Sequence, residues 1–192
     1  SPMKIGILCL QGAVQDHLAP LSRLGAEGVE VRHPADLEGL SGLILPGGES
    51  TVMARFIAGY GLAEPIRAFA AAGKPVWGLC AGAIILSTEI LSAPGRAAVP
   101  GPLGLLPARA VRNAYGRQLS SFEEEVSTIA GPFHGIFIRA PRLEPLGGTE
   151  ILGRRANGEA VLLRSGKILA ASFHPELSGD DRLHGYFLSL CK

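Results

Sequence analysis

Cys80 stands in the run Gly78-Leu79-Cys80-Ala81-Gly82, directly after the apolar residues Pro75-Val76-Trp77. A thiol framed by glycines at the end of a buried strand has the pattern of a nucleophile elbow, G-x-C-x-G. In such an elbow the chain turns sharply from strand to helix and holds the nucleophile in a strained, exposed conformation. Side chains two residues to either side would collide with the turn; both positions are glycine, and Ala81 and Ala83 add no bulk. Ile84-Ile85-Leu86 begins a helix whose N-terminus points at the sulfur and favours its thiolate. The competing reading is a small buried hydrophobe in an ordinary strand-to-helix crossover, since free cysteine is commonly buried.

A catalytic thiol needs a base, and the base needs an orienting partner. Ala170-Ala171-Ser172-Phe173-His174-Pro175-Glu176 provides an apolar strand, then a histidine, then a carboxylate two residues on. Pro175 biases His174 towards extended backbone, where residues two apart project to one side. Glu176 is thereby expected to bond one ring nitrogen of His174 while the other faces Cys80, the logic of a Ser-His-Asp triad with other residue types. Singly, His174 also reads as a satisfied histidine at a strand end, and Glu176 as a solvated loop or helix-start carboxylate. Leu43-Ile44-Leu45-Pro46-Gly47-Gly48-Glu49-Ser50-Thr51 reads as a buried strand, a glycine turn and a helix capped by Ser50 or Thr51. Two glycines in a row let backbone N–H groups approach an oxyanion, each such donor being worth roughly 3–4 kcal/mol. An ordinary strand-to-helix turn carries the same residue types.

Together the elbow, the Pro46–Ser50 turn and Phe173-His174-Pro175-Glu176 resemble the three signatures of class I (triad) glutamine amidotransferases. Leu10-Gln11-Gly12-Ala13-Val14, Val111-Arg112-Asn113-Ala114-Tyr115-Gly116-Arg117-Gln118 and Phe137-Ile138-Arg139-Ala140-Pro141 narrow the resemblance. They are similar to the family of glutaminase subunits of pyridoxal 5′-phosphate synthase, from about Met3 to the C-terminus. The resemblance implies a glutaminase that hydrolyses L-glutamine to glutamate and ammonia through Cys80, His174 and Glu176. It implies an oxyanion hole from backbone N–H groups of Gly47 or Gly48 and Ala81, and glutamine binding by Gly48, Glu49, Ser50, Arg112, Ile138 and Arg139. An arginine suits the substrate carboxylate, and a glutamate or backbone carbonyl suits its ammonium; the rival roles for Arg112 and Arg139 are interface contacts or structural ion pairs. The resemblance further implies a synthase subunit that receives the ammonia for vitamin B6 biosynthesis and orders the oxyanion loop, with Gln11 and the Gly47-Gly48 turn near that interface. Its rivals are a glutaminase subunit of another amidotransferase, such as that of histidine biosynthesis, and a non-catalytic scaffold of the same fold. A general cysteine peptidase fits less well, because nothing would then require the His-Pro-Glu and glutamine-binding segments.

Composition narrows the remaining classes. The 192 residues, 47% hydrophobic, suffice for one core, so one domain over residues 1–192 is expected. A net charge of +1 with 18% charged residues leaves no electrostatic footprint for nucleic acid. No apolar stretch reaches the roughly 18 residues of a membrane span, and the opening residues lack a signal-peptide pattern. The 3 cysteines have no paired spacing, which fits a reducing cytoplasm, and the 5 histidines have no metal-ligand spacing, so neither metal nor cofactor is expected.

The elements that must position these residues alternate. Ile5–Leu10, Val29–Val31 and Leu43–Leu45 read as strands. Val14, Leu18, Leu21 and Leu24 recur at helical spacing, with Pro20 predicting a kink or a late start. A helical region from Val52 to Ala72, broken near Gly59-Tyr60-Gly61, precedes the strand into the elbow. Beyond a Pro/Gly-rich loop from Ser92 to Pro107, strands are expected at Arg109–Val111, Ile136–Ile138, Ala160–Leu163 and Ile168–Ala171, with Asn157-Gly158 as a hairpin turn. Leu183, Tyr186, Phe187 and Leu190 form one helical stripe, with Ser178 or Asp180 at its start. The pattern predicts an α/β fold of three layers: a mostly parallel central sheet, helices on both faces, and a smaller antiparallel strand element.

Overall fold

Alternation along the first strands explains the layers. In the computed structural model, which describes residues 1–10, 13–116 and 120–192, Ile5, Ile7, Ile44, Trp77, Leu169 and Ala171 belong to one apolar cluster. Leu8, Leu43, Leu45, Val76 and Ala170, their neighbours along the same strands, belong to the other. Strand side chains alternate between faces, so a sheet apolar at every position must be covered on both.

The chain runs β1 (Lys4–Leu8), α1 (Ala13–Arg23), β2 (Glu27–Val31), β3 (Gly42–Leu45), α2 (Ser50–Gly59), α3 (Ala63–Ala71), β4 (Val76–Leu79), α4 (Ala81–Leu86) and β5 (Ser87–Leu91). It continues through β6 (Val99–Pro100), β7 (Leu106–Val111), β8 (Ser121–Thr128), β9 (Gly131–Ile138), β10 (Arg142–Pro145), β11 (Glu150–Arg154), β12 (Ala160–Ser165), β13 (Ile168–Ala171) and α5 (Arg182–Leu190). Val14 and Leu21 of α1 and Leu183 and Phe187 of α5 cover one face. Met53 and Ile57 of α2, Ile66 and Phe69 of α3, and the whole of α4 except Gly82 cover the other, where Leu106, Ala108, Ala110 and Leu143 of the second sheet also pack.

The central sheet has 9 strands in the order β2-β1-β3-β4-β13-β12-β11-β8-β9. From β2 to β13 every pairing is parallel; from β13 to β9 every pairing is antiparallel. The smaller element is a 4-stranded sheet, β10-β7-β5-β6, with antiparallel pairs at both ends and a parallel pair between. What matters for the site is the adjacency of β3, β4 and β13. Neighbouring strands lie about 4.8 Å apart, and open α/β sheets bind ligands beyond the carboxyl ends of their parallel strands. Leu45 pairs with Gly78 and Ala171 with Leu79, so the glycine turn, Cys80 and the His174 segment leave the sheet side by side.

Several local expectations are modified. The helix holding Pro20 starts at Ala13 rather than late, with Pro20 near its end, where Leu24 N–H still reaches the Pro20 carbonyl. The break between α2 and α3 falls at residues 60–62, Gly61 taking a φ of 64°. Neither Ser50 nor Thr51 caps α2: the helix begins at Ser50, and the Thr51 hydroxyl instead donates to Glu49 Oε1 at 3.2 Å. Likewise α5 begins at Arg182 with Asp181 at its N-cap, although Asp180 Oδ1 accepts from the Arg182 N–H. The Asn157-Gly158 turn joins β12 to β11, a strand the apolar pattern does not announce. Gly158 has a φ of 92°, and Asn157 Oδ1 accepts from the Glu159 N–H.

Candidate active site

Cys80 is the single residue between β4 and α4. It has φ 51° and ψ −105°, strained backbone for a residue with a Cβ. The flanking glycines are demanded by close approach: a Cβ on Gly78 would lie 2.5 Å from the Gly82 carbonyl carbon and oxygen, and one on Gly82 would lie 2.0 Å from the Leu45 oxygen. The elbow is held to β13 by a 2.8 Å bond from Cys80 N–H to the Ala171 carbonyl. His174 is fixed by its own N–H, which donates to Ile136 of β9 at 2.8 Å.

These supports align three side chains. Cys80 Sγ lies 3.0 Å from His174 Nε2 and 3.1 Å from the Ser172 carbonyl oxygen. His174 Nδ1 lies 2.7 Å from Glu176 Oε2. The route to that contact differs from the extended chain predicted for His174-Pro175-Glu176. Pro175–Leu177 forms a turn of 3₁₀ helix, because proline suits a first helical position, and the turn folds Glu176 back beneath the imidazole. The Glu176 side chain is only 6% exposed, so it faces the ring rather than solvent.

Burial and pairing act on the same proton. Burial pushes the Cys80 thiol up, against the pull of His174. Burial alone would lower His174, but Cys80 and Glu176 together raise it to about 10. Both directions mean that the Sγ–Nε2 pair keeps its shared proton through neutral pH. The expected thiolate stabilisation by the following helix is overridden: α4 spans 6 residues, and desolvation is the largest influence on the sulfur.

A cavity of about 670 Å³ opens over Cys80 and His174, lined also by Gly48, Glu49, Ser50, Ala81, Arg112, Ile138 and Arg139. Every residue named from the sequence for substrate binding is therefore on one wall or another. Gly47 is placed differently: it packs under the imidazole, where a Cβ would sit 2.6 Å from His174 Cε1. Gln11, Arg117 and Gln118 lie outside the described residues. Arg112 Nη2 approaches Glu49 Oε1 at 3.4 Å, so the cavity presents a cation and a carboxylate side by side. Among the described residues, the non-glycine positions with positive φ are Cys80, Asn113 and Arg139, and all three line this cavity. Strain gathered in one place is a mark of a working site.

Asn113, Tyr115 and Ser120 also line the cavity, in roles the sequence does not announce. Tyr115 anchors the loop that carries Arg112: its hydroxyl donates to Glu159 Oε2 at 2.7 Å, and Arg155 pairs with the same carboxylate at 3.1 Å. The Arg155 guanidinium also lies 4.7 Å over the Phe122 ring of β8. Burial, then Glu159, pushes the Tyr115 phenol well up, so it remains a neutral donor. The only available sequence signal was the Arg112–Gln118 segment itself; the partners sit 44 and 40 residues away in the chain, at positions 159 and 155.

Residues 7–192 match the model of the SNO glutamine amidotransferase family. A pyridoxal 5′-phosphate synthase subunit PdxT from Dehalococcoides mccartyi is 49% identical over 99% of this chain and 98% of its own. The subunit of that name from Thermus thermophilus is 50% identical over 97% and 96%. Among solved structures, a crystal structure of a glutamine amidotransferase superposes with a TM-score of 0.88 at 48% identity, covering 97% of this chain and 98% of that one. PurLQS from Thermotoga maritima gives 0.76 at 18% identity over 100% of both chains, a likeness of fold alone.

Proposed function

The chain belongs to the SNO glutamine amidotransferase family, and on that premise we propose that it is the glutaminase subunit of a pyridoxal 5′-phosphate synthase. It hydrolyses L-glutamine and delivers the ammonia to a synthase subunit; the relatives that it matches over nearly their full length are named as pyridoxal 5′-phosphate synthase subunits. One observation carries the chemical reading. The line Glu176–His174–Cys80, with contacts of 2.7 and 3.0 Å, ends in a cavity whose wall pairs Glu49 with Arg112.

The reaction follows from that line. Cys80 Sγ attacks the side-chain amide carbon of glutamine with the proton that the pair shares resting on His174 Nε2. The developing oxyanion is met by backbone N–H groups of the Gly47-Gly48 turn and of Ala81. Collapse breaks the C–N bond, and the proton on His174 goes to the leaving nitrogen as ammonia departs. His174 then takes a proton from water, whose oxygen attacks the glutamyl thioester and releases glutamate with the thiol restored. Glu176 keeps the proton of His174 on the side that faces it and offsets the imidazolium charge. Arg112 or Arg139 receives the substrate carboxylate and Glu49 its ammonium, with Ser50 and Ile138 completing the wall; the Glu49–Arg112 pair opens to admit both. The protein acts as one glutaminase domain over residues 1–192, supported by a sheet that takes strands from both ends of the chain. A cytoplasmic location is supported by the free state of Cys9, Cys80 and Cys191.

Glutamate release from L-glutamine, measured with and without the synthase subunit, tests the reading. Turnover should rise on adding the subunit and vanish in Cys80→Ala. Turnover indifferent to the subunit would contradict the assignment to this synthase, and turnover surviving in Cys80→Ala would contradict the mechanism.

A further inference from the structure

Near the same Glu176 oxygen that meets His174 lie two histidines to which the chemistry above gives no task. His17 of α1 and His184 of α5 are both 0% exposed. His17 Nδ1 and His184 Nε2 are 3.0 Å apart, and His17 Nε2 lies 3.9 Å from Glu176 Oε2. The side chains thus form a continuous line of five: Cys80, His174, Glu176, His17 and His184. The far end is closed by Trp77, whose ring meets His184 edge-on at 4.9 Å between centroids.

The Glu176 carboxylate gives this line a direction. Burial, then His184 and the triad histidine, keeps His17 well below the usual histidine range, and burial brings His184 to about 4 despite Asp181. Both rings are therefore neutral at neutral pH, each with one N–H and one bare nitrogen. Were His17 to donate from Nδ1, its bare Nε2 would face the Glu176 carboxylate, and His184 would hold a buried N–H at Nδ1 with no acceptor. With the opposite tautomers, His184 Nε2–H donates to His17 Nδ1, and His17 Nε2–H points its positive end at Glu176. Each arrangement leaves one buried N–H without a partner; what separates them is that the second sets an N–H, not a lone pair, 3.9 Å from the carboxylate.

We propose that His17, held in this tautomer by His184, is a positioning residue that fixes Glu176 against His174. It touches neither substrate nor reacting atoms. At 3.9 Å it is beyond a hydrogen bond to Oε2, so it acts as a dipole aimed at the carboxylate in a site from which water is largely excluded. The groups facing it are Glu176 and His174 from the triad and His184 from α5; behind His184 stand Asp181 and Arg23, bonded to each other.

The inference rests on the glutaminase reading, so its test has a second arm that does not. Gln at position 17 places its amide N–H₂ where Nε2 stood and preserves the aim at Glu176. Asn keeps a polar group near His184 but stops short of Glu176. In glutamate release with the synthase subunit, His17→Asn should lose roughly tenfold in kcat with KM within twofold, and His17→Gln should recover most of it. In a Glu176→Ala background, His17→Asn should cost less than a further twofold, since its effect passes through the absent carboxylate. The same pattern should appear in the rate at which iodoacetamide alkylates Cys80, read by peptide mass; this arm reports the Cys-His-Glu line whatever the substrate. A wild type that alkylates rapidly but turns over no glutamine would count against the glutaminase and leave the alkylation arm to decide. Equal rates for Asn and wild type, or a full additional loss in the Glu176→Ala background, would overturn the proposal.

Discussion

One shared proton between Cys80 and His174 sets the pH behaviour of the site. Because His174 is raised to about 10, kcat/KM should hold through the neutral range and fall only as pH approaches that value. A basic limb centred near the ordinary histidine value in a kcat/KM profile would contradict the pairing. The same shift adds folding stability that is complete below the unfolded pKa of 6.5 and is lost as pH rises through about 10. His184 has the opposite sign. Its folded value of about 4 lies below 6.5, so its contribution is present above 6.5 and lost as pH falls towards 4. That span corresponds to about 3 kcal/mol. Melting temperature should therefore drop between those values, and His184→Phe, whatever its melting point, should flatten the drop. Glu176→Gln leaves the side-chain shape intact but removes the charge that holds the imidazolium; kcat should fall about 10²- to 10⁴-fold with the fold preserved.

The elements make their own predictions, because the turns that hold the site are packed to contact. Gly47→Ala would drive a Cβ into the edge of the His174 ring, displacing it from Cys80 rather than disturbing backbone. It should lower kcat more than tenfold while moving the melting temperature little. Gly82→Ala meets the Leu45 backbone, which cannot yield, and should cost 1–3 kcal/mol or more (about the upper range for overpacking), read by denaturant unfolding. Tyr115→Phe releases the Arg112 loop from Glu159; we expect KM for glutamine to rise several-fold, about 1 kcal/mol, with kcat little changed. The parallel half of the sheet was legible in the sequence because β1, β3, β4 and β13 are short apolar runs, β3 ended by Pro46 and β4 by the elbow. β8 was not: Glu123-Glu124-Glu125 looks like a solvated run, yet Glu124 pairs with Arg155 while Glu123 meets His134 of β9. Strand identity there comes from a partner strand and ion pairs rather than from apolar alternation. The triad was visible because chemistry demands residue types at marked turns. The His17–His184 pair carries no such mark, as buried histidines at helical spacing look like core.

At the scale of the whole molecule, the site is built where β3, β4 and β13 end together, and nearly every part of the chain contributes. The antiparallel half supplies Ile138 and Arg139 and the carbonyl of Ile136 that anchors His174, while the second sheet leads into Arg112. Glutamine hydrolysis through this assembly requires a covalent glutamyl thioester, so that intermediate is its most direct test. Incubation with a glutamine analogue that carries an electrophile in place of the amide, followed by peptide mass analysis, reads it. The account predicts one adduct per chain on Cys80, suppressed by L-glutamine and slowed in His174→Ala. Labelling spread over Cys9, Cys80 and Cys191 alike, or labelling of Cys80 that neither glutamine nor His174→Ala affects, would contradict it.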